Sequence, residues 1–241
     1  MAEPLLSLRG VHTHIGRYHI LQGVDLEVPR GGLTMLLGRN GAGKTTTLRT
    51  ILGLWRASSG AVRFDGSDVT RLDTPAIAGL GIAYVPESMG IFAGLTVREN
   101  LALAARGGAP DAARLERIFG YFPALKKFWE LPAGNLSGGQ KQMLSISRAI
   151  VEPRKLVLID EPTKGLAPAI IHSLVEALSD LKKTDTTILM VEQNFHAART
   201  LGDTVAVMDS GRIVHAGRMA DLAADEALQT RLLGLSLEAH Q

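Results

Sequence analysis

Gly38-Arg39-Asn40-Gly41-Ala42-Gly43-Lys44-Thr45 has the spacing G-x-x-x-x-G-K-[ST], which builds a loop that cradles phosphate. The apolar run Leu33-Thr34-Met35-Leu36-Leu37 precedes it, and Thr46-Thr47-Leu48-Arg49-Thr50-Ile51-Leu52 follows with helical spacing. Strand, loop and helix in that order turn a text match into a structural expectation. Gly38, Gly41 and Gly43 let backbone N–H groups converge on phosphate oxygens, and the positive end of the following helix adds its dipole. Lys44 is then placed to reach the β- and γ-phosphates, and the Thr45 hydroxyl to ligate Mg²⁺. Arg39, Asn40, Ala42 and Thr46 complete the expected triphosphate contacts.

Around this loop the chain reads as α/β. Residues 5–9 and 24–28 alternate apolar and polar side chains, as half-buried strands do, and with 61–65 they predict a small antiparallel sheet beside the nucleotide. Pro29, Gly31 and Gly32 mark the turn into the strand before the loop. Residues 81–85 form a short apolar run ending at Pro86. From 96 to about 150 the character becomes helical, with helices expected at 97–105, 111–119 and 140–150, punctuated by Pro110, Pro123 and Pro132. Residues 155–160 and 186–191 are apolar and β-branched and flank a helix at 168–182, which predicts buried parallel strands. A hairpin at 205–208 and 212–216, joined through Asp209-Ser210-Gly211, and an amphipathic helix at 221–233 close the chain. The expected organisation is one domain over 1–241. Residues 1–87 and 136–241 make its core and antiparallel sheet, and 88–135 an inserted helical subdomain.

Bulk properties narrow the classes. The 241 residues suit one large domain. A net charge of +2, from 26 basic and 24 acidic residues, gives no electrostatic case for a nucleic-acid partner. Cysteine is absent, which removes disulfides and thiolate metal sites and fits a reducing compartment. No apolar run approaches the ~20 residues that span a bilayer, and the first residues lack a signal peptide's basic and apolar regions. Any link to a membrane is therefore expected to go through a partner.

Two acids end the run Lys155-Leu156-Val157-Leu158-Ile159-Asp160-Glu161, at the strand end where parallel sheets place ligands. Paired with the phosphate loop, Asp160 is expected to hold Mg²⁺ directly or through water, and Glu161 to polarise the attacking water as general base. In Leu136-Ser137-Gly138-Gly139-Gln140 a serine and two glycines precede a helix, and can present hydroxyl, amides and dipole to a phosphate. Read alone, that stretch is a turn and helix cap. Read with the other motifs, the chain resembles the ATP-binding-cassette (ABC) ATPases, whose signature sequence is LSGGQ. The resemblance covers essentially the whole chain. It implies a P-loop NTPase core of mostly parallel sheet with flanking helices, ATP and Mg²⁺ as cofactors, and ATP hydrolysis. It also implies that Leu136, Ser137, Gly138, Gly139 and Gln140 serve the ATP held by an opposite subunit, two subunits sandwiching two ATP molecules head to tail.

Further roles follow from the resemblance residue by residue. The segment from Glu161 to Pro168 is similar to the loop that joins the two subunits. Glu87 stands where the family usually has a glutamine near Mg²⁺, and a carboxylate there would bind the metal differently. The loop it begins couples the ATPase to membrane-spanning subunits in relatives, so 88–92 and 95–100, including Arg98 and Glu99, are the candidate contact surface. Gln193 occupies the slot of the switch histidine. Glutamine can hydrogen-bond the γ-phosphate but carries no proton charge. His196, three residues on, reads as a surface histidine. Where relatives stack an aromatic residue on adenine, this chain has His14 and Ile15, with Tyr18 nearby, which leaves selectivity between ATP and GTP open.

Within the family the wording Tyr84-Val85-Pro86-Glu87, Leu95-Thr96-Val97-Arg98-Glu99-Asn100-Leu101, Gly165-Leu166-Ala167-Pro168 and Val191-Glu192-Gln193-Asn194 resembles the branched-chain amino-acid uptake ATPases, in particular their shorter subunit. That branch implies a longer, different ATPase partner, two membrane-spanning permease subunits, a substrate-binding protein that delivers the solute, and a peripheral place on the cytoplasmic side of the cell membrane. Relatives also serve urea, amides and aromatic acids, so the solute stays open. Soluble ABC ATPases of DNA repair or chromosome organisation share LSGGQ, but they put a long coiled coil between loop and signature. No sustained heptads separate Lys44 from Ser137 here. An ATP-binding structural clamp is the remaining alternative. Intact Lys44, Asp160 and Glu161 argue against it and Gln193 for it.

Overall fold

The computed structural model describes residues 3–234, so the expected domain limits at 1 and 241 lie outside the described residues. Chain order begins β1 (Leu6–Ile15), β2 (Tyr18–Val28), β3 (Gly32–Gly38), α1 (Lys44–Ile51), β4 (Ala57–Phe64), β5 (Ser67–Asp68), α2 (Thr74–Gly79) and β6 (Ile82–Val85). Helices α3 (Val97–Ala104), α4 (Ala112–Tyr121) and α5 (Pro123–Lys127) follow, then α6 (Gly138–Ile150), β7 (Leu156–Asp160), α7 (Pro168–Lys182), β8 (Thr187–Val191) and α8 (Phe195–Leu201). The hairpin β9 (Thr204–Asp209) and β10 (Arg212–Arg218) leads to α9 (Met219–Ala224) and α10 (Glu226–Leu233).

The main sheet has the order β10-β9-β3-β8-β7-β6. All its pairings are parallel except the β9–β10 hairpin at one edge. Its central strands are buried along nearly their whole length and mostly apolar, because both faces are covered. Leu33, Met35, Val157, Ile159, Ile188 and Met190 point into one core with α3, α4, α6 and α7. Leu36, Leu156, Leu158, Leu189 and Val191 point into the other, against α1 and the second sheet. That sheet, β2-β1-β4-β5, is antiparallel. A buried hydrogen bond between the hydroxyls of Thr13 and Thr50, 3.1 Å long, ties it to α1. Parallel order brings the C-terminal ends of β3, β7 and β8 to one edge, where an α/β sheet places its ligands.

Several elements differ from expectation. The expected helix at 221–233 is two helices broken at Asp225, whose side chain turns to accept from Leu228 N and caps the second. The helix expected to start at 140 begins at Gly138, because Ser137 caps it and reciprocates with Gln140. Helices α2, α5 and α8 escaped the sequence reading. Each is one or two turns long, too short for a 3.6-residue period to register.

Candidate active site

The loop after β3 turns back over the start of α1. Gly38 has φ 146° and a Cβ added there would lie 2.1 Å from Met208 O, so only glycine passes this close to β9. Gly43 caps α1 in the left-handed region and no side chain satisfies the first-turn amides, which leaves those donors for an anion. Gly38, Arg39, Asn40, Gly41, Ala42, Gly43, Lys44, Thr45 and Thr46 thus form one continuous loop and helix start. Lys44 is 4% exposed and donates to Gly38 O at 2.8 Å and to Arg39 O at 3.1 Å. Burial holds its ammonium below the ordinary lysine value, against the pull of Glu161 and Asp160.

Acidic residues converge on this loop from the ends of β7 and β8. Thr45 Oγ1 donates to Asp160 Oδ1 at 3.1 Å, and Tyr84 Oη donates to Asp160 Oδ2 at 3.1 Å. Burial raises the Asp160 carboxyl above its usual range, with the two donors opposing. Next to it, Glu161 sits at φ 47°, a left-handed conformation a non-glycine residue adopts only when its surroundings fix it. Gln193 Nε2 donates to Glu161 Oε1 at 2.6 Å, and Lys44 Nζ lies 3.9 Å from the same oxygen. Lys164 Nζ approaches Glu161 Oε2 at 3.4 Å and Glu87 Oε1 at 2.6 Å. Glu87, Asp160, Glu161, Gln193 and the phosphate loop are therefore neighbours in space.

Besides Lys164, two side chains here were not singled out from the sequence for their chemistry. Tyr84 is one; burial and the Asp160 charge push its phenol up to about 12, so it stays a donor. The other is Glu192, 2% exposed, which accepts from the amides of Thr163, Gln193 and Asn194 and staples the loop after β8 to the loop after β7. An apolar strand that continues into an acid, Val191-Glu192, was the available signal. His196 is exposed, as expected.

In the β1–β2 hairpin, Ile15 and Tyr18 face each other, and Tyr18 is 61% exposed. His14 stacks on His19 at 4.1 Å between ring centroids, so its ring already has a partner. Leu136 to Gln140 stand elsewhere. Leu136 is buried, and Ser137 and Gly138 are exposed at the start of α6. Ser137 Oγ accepts from Gln140 N at 3.3 Å and Gln140 Oε1 from Ser137 N at 2.9 Å.

For a metal, the set at Thr45 and Asp160 offers only hard oxygen donors, which suits Mg²⁺. Among the described residues no group of three or more His, Cys, Asp or Glu is arranged to hold a metal. A cation here would consequently lean on phosphate and water oxygens.

A phosphate loop, an acidic strand end beside it and a separate Ser-Gly-Gly helix start define an ATP-hydrolysing cassette. The chain belongs to the ABC transporter family, whose model matches residues 21–164. It is 38% identical over 232 residues to the high-affinity branched-chain amino acid transport ATP-binding protein BraG of Pseudomonas aeruginosa, covering 95% of this chain and 100% of that one. Identity is 36% over 236 residues to the probable branched-chain amino acid transport ATP-binding protein LivF of Archaeoglobus fulgidus, covering 95% and 99%. The fold matches an ATP-binding subunit of an ABC transporter with TM-score 0.79 at 30% identity, covering 97% and 96%. It also matches the ADP conformation of the cassette MJ1267 with TM-score 0.80 at 25% identity, covering 97% and 100%. The chain is an ABC transporter ATPase, a class that works with membrane permease subunits. Among the described residues no helix is long and apolar enough to cross a membrane.

Proposed function

We propose that the chain energises uptake of branched-chain amino acids or a related small polar solute, from the cytoplasmic face of the membrane. BraG and LivF, similar over nearly their full lengths, support the solute class. In this reading its partners are a second, different ATPase subunit and two permease subunits, with a substrate-binding protein delivering the solute. Residues 88–135 act as a helical subdomain inserted in the core.

The observation that carries the chemistry is the buried Glu161 carboxylate, fixed by Gln193 beside Lys44 at the mouth of the phosphate loop. Backbone amides of residues 38–46 and Lys44 bind the triphosphate, and Ile15 packs against the base. Glu161 accepts a proton from water as the water oxygen bonds the γ-phosphorus and the bond to the β–γ bridging oxygen breaks, releasing ADP and phosphate. Gln193 orients Glu161 and can reach the γ-phosphate. Mg²⁺, held by Thr45, Asp160 and Glu87, would neutralise charge on the β- and γ-oxygens. Leu136, Ser137, Gly138, Gly139 and Gln140 complete the site of the opposite subunit.

Glu161→Gln keeps the shape and removes the base. Its ATP affinity should stay near wild type while turnover falls by about 10²–10⁴. Turnover and equilibrium ATP binding measured on one preparation test this, and undiminished turnover would remove Glu161 from the role.

A further inference from the structure

Lys164 lies in the turn that leaves Glu161, with its own amide bonded to Glu161 O at 3.2 Å. The preceding residue is pinned as well, since Thr163 N donates to the buried Glu192 at 3.1 Å. The Lys164 backbone is thus fixed, while its side chain is more than half exposed. That side chain spans two strand ends. Its ammonium is 2.6 Å from Glu87 Oε1, after β6, and 3.4 Å from Glu161 Oε2, after β7. Glu161 Oε2 is buried and accepts no hydrogen bond, so this ammonium is its nearest compensating charge. Lys44 meanwhile is turned onto the carbonyls of its own loop. Glu161 thus lies between two lysines, Lys44 and Lys164, and Glu87 pairs with the second. Only one of those lysines can swing away.

We propose that Lys164 is a positioning residue that binds Glu87 and Glu161 together before nucleotide enters, and that Mg²⁺ must draw Glu87 off this ammonium in order to use it. The idea rests on the assignment of Glu87 to the metal. It adds a competitor: the lysine, on Glu87 Oε1, and the cation draw on the charge of one carboxylate. An exposed ion pair is weak, so the competition sets how much Mg²⁺ is needed and does not block the site.

The test is an Mg²⁺ titration of binding, without turnover, using a fluorescent non-hydrolysable ATP analogue on the full chain. Lys164→Met should lower the half-saturating Mg²⁺ about two- to fivefold, the range an exposed pair supplies. Lys164→Arg should restore the wild-type value. In a Glu87→Gln background, Lys164→Met should produce little or no further shift, because the neutral amide carries no charge for the ammonium and the cation to compete over. An unchanged half-saturation in Lys164→Met, or an equal shift in the Glu87→Gln background, overturns the proposal. Lys44→Ala serves as the separate control. If analogue binding survives it, the assignment of the nucleotide site itself fails, whereas Lys44-dependent binding with an Mg²⁺ response indifferent to Lys164 defeats only the role given to Lys164.

Discussion

An alanine Cβ at Gly139 would stand 2.4 Å from Ile170 Cγ2, and one at Gly38 would stand 2.1 Å from Met208 O. The first neighbour is a side chain and the second is backbone, so the two substitutions should behave differently. Gly139→Ala forces the start of α6 away from α7, at a cost of about 1–3 kcal/mol. Trimming the obstacle in Gly139→Ala/Ile170→Ala should return part of that loss in urea denaturation, giving a double variant more stable than the sum of the singles. Strict additivity would place the clash elsewhere. No comparable rescue is expected at Gly38, where the residue also needs φ 146°. These residues also mark what the sequence discloses. Lys44, Thr45, Asp160 and Glu161 were legible because their chemistry is written in short, local motifs. Tyr84, Glu192 and Lys164 were not singled out for theirs, since each acts through a partner on another strand end.

Helix starts carry the next level of specificity. Thr96 and Glu99 form a reciprocal cap on α3: Glu99 N donates to Thr96 Oγ1 at 3.1 Å and Thr96 N to Glu99 Oε2 at 2.8 Å. The Thr96 amide, with the Thr96 hydroxyl, holds the Glu99 carboxyl below its usual value of 4.5. A lowered carboxylate contributes stability above its unfolded value and loses it as pH falls through the lowered one. Thr96→Ala should cost about 1 kcal/mol at pH 7, as a lost N-cap does. It removes the hydroxyl and keeps the amide, so the part of the gap that the hydroxyl's bond to Glu99 supplies should narrow below the usual Glu99 value. Urea melts at neutral and acidic pH check this, and a gap independent of pH would deny the coupling between cap and carboxylate. Elsewhere, α6 grips the loop that follows β6. Ser145 Oγ donates to Met89 O at 2.5 Å, Arg148 donates to Gly90 O, and the Arg148 guanidinium lies 4.9 Å over the Phe92 ring. The helix that begins at the Ser-Gly-Gly start is thereby fastened to the proposed membrane-contact loop. Arg148→Ala should lower solute uptake more than ATP turnover in the assembled transporter. Equal losses in both assays would show that the grip does not couple them. Long elements such as β3, α6 and α7 were readable from period and flanking punctuation. The break at Asp225 was not, because a single residue both ends one helix and caps the next.

At the scale of the molecule, the phosphate loop and the Ser-Gly-Gly helix start proposed to bind a second phosphate do not meet. Among the described residues no hydrogen bond or ion pair joins residues 136–140 to residues 38–45. Gly138 and Gly139, in the first turn of α6, have no intrahelical acceptor for their amides. Ser137 spends its oxygen lone pair on the cap and keeps its O–H as a donor. In the proposed shared site these donors would face a phosphate held by the opposite subunit. Binding and catalysis should then separate by variant. On the isolated chain, Lys44→Ala should abolish ATP binding, while Ser137→Ala should keep it within about twofold. In the complete transporter, Ser137→Ala should reduce turnover by about tenfold or more, the scale of losing a donor that stabilises developing charge. Ser137→Asp keeps a capping oxygen but has no O–H to donate, so it separates a lost helix start from a lost phosphate contact, with thermal melts confirming that α6 persists. If Ser137→Ala weakens ATP binding to the isolated chain as severely as Lys44→Ala does, the two elements serve one nucleotide and the shared-site reading fails. If only assembled turnover responds, Ser137 acts on ATP held by a neighbouring subunit.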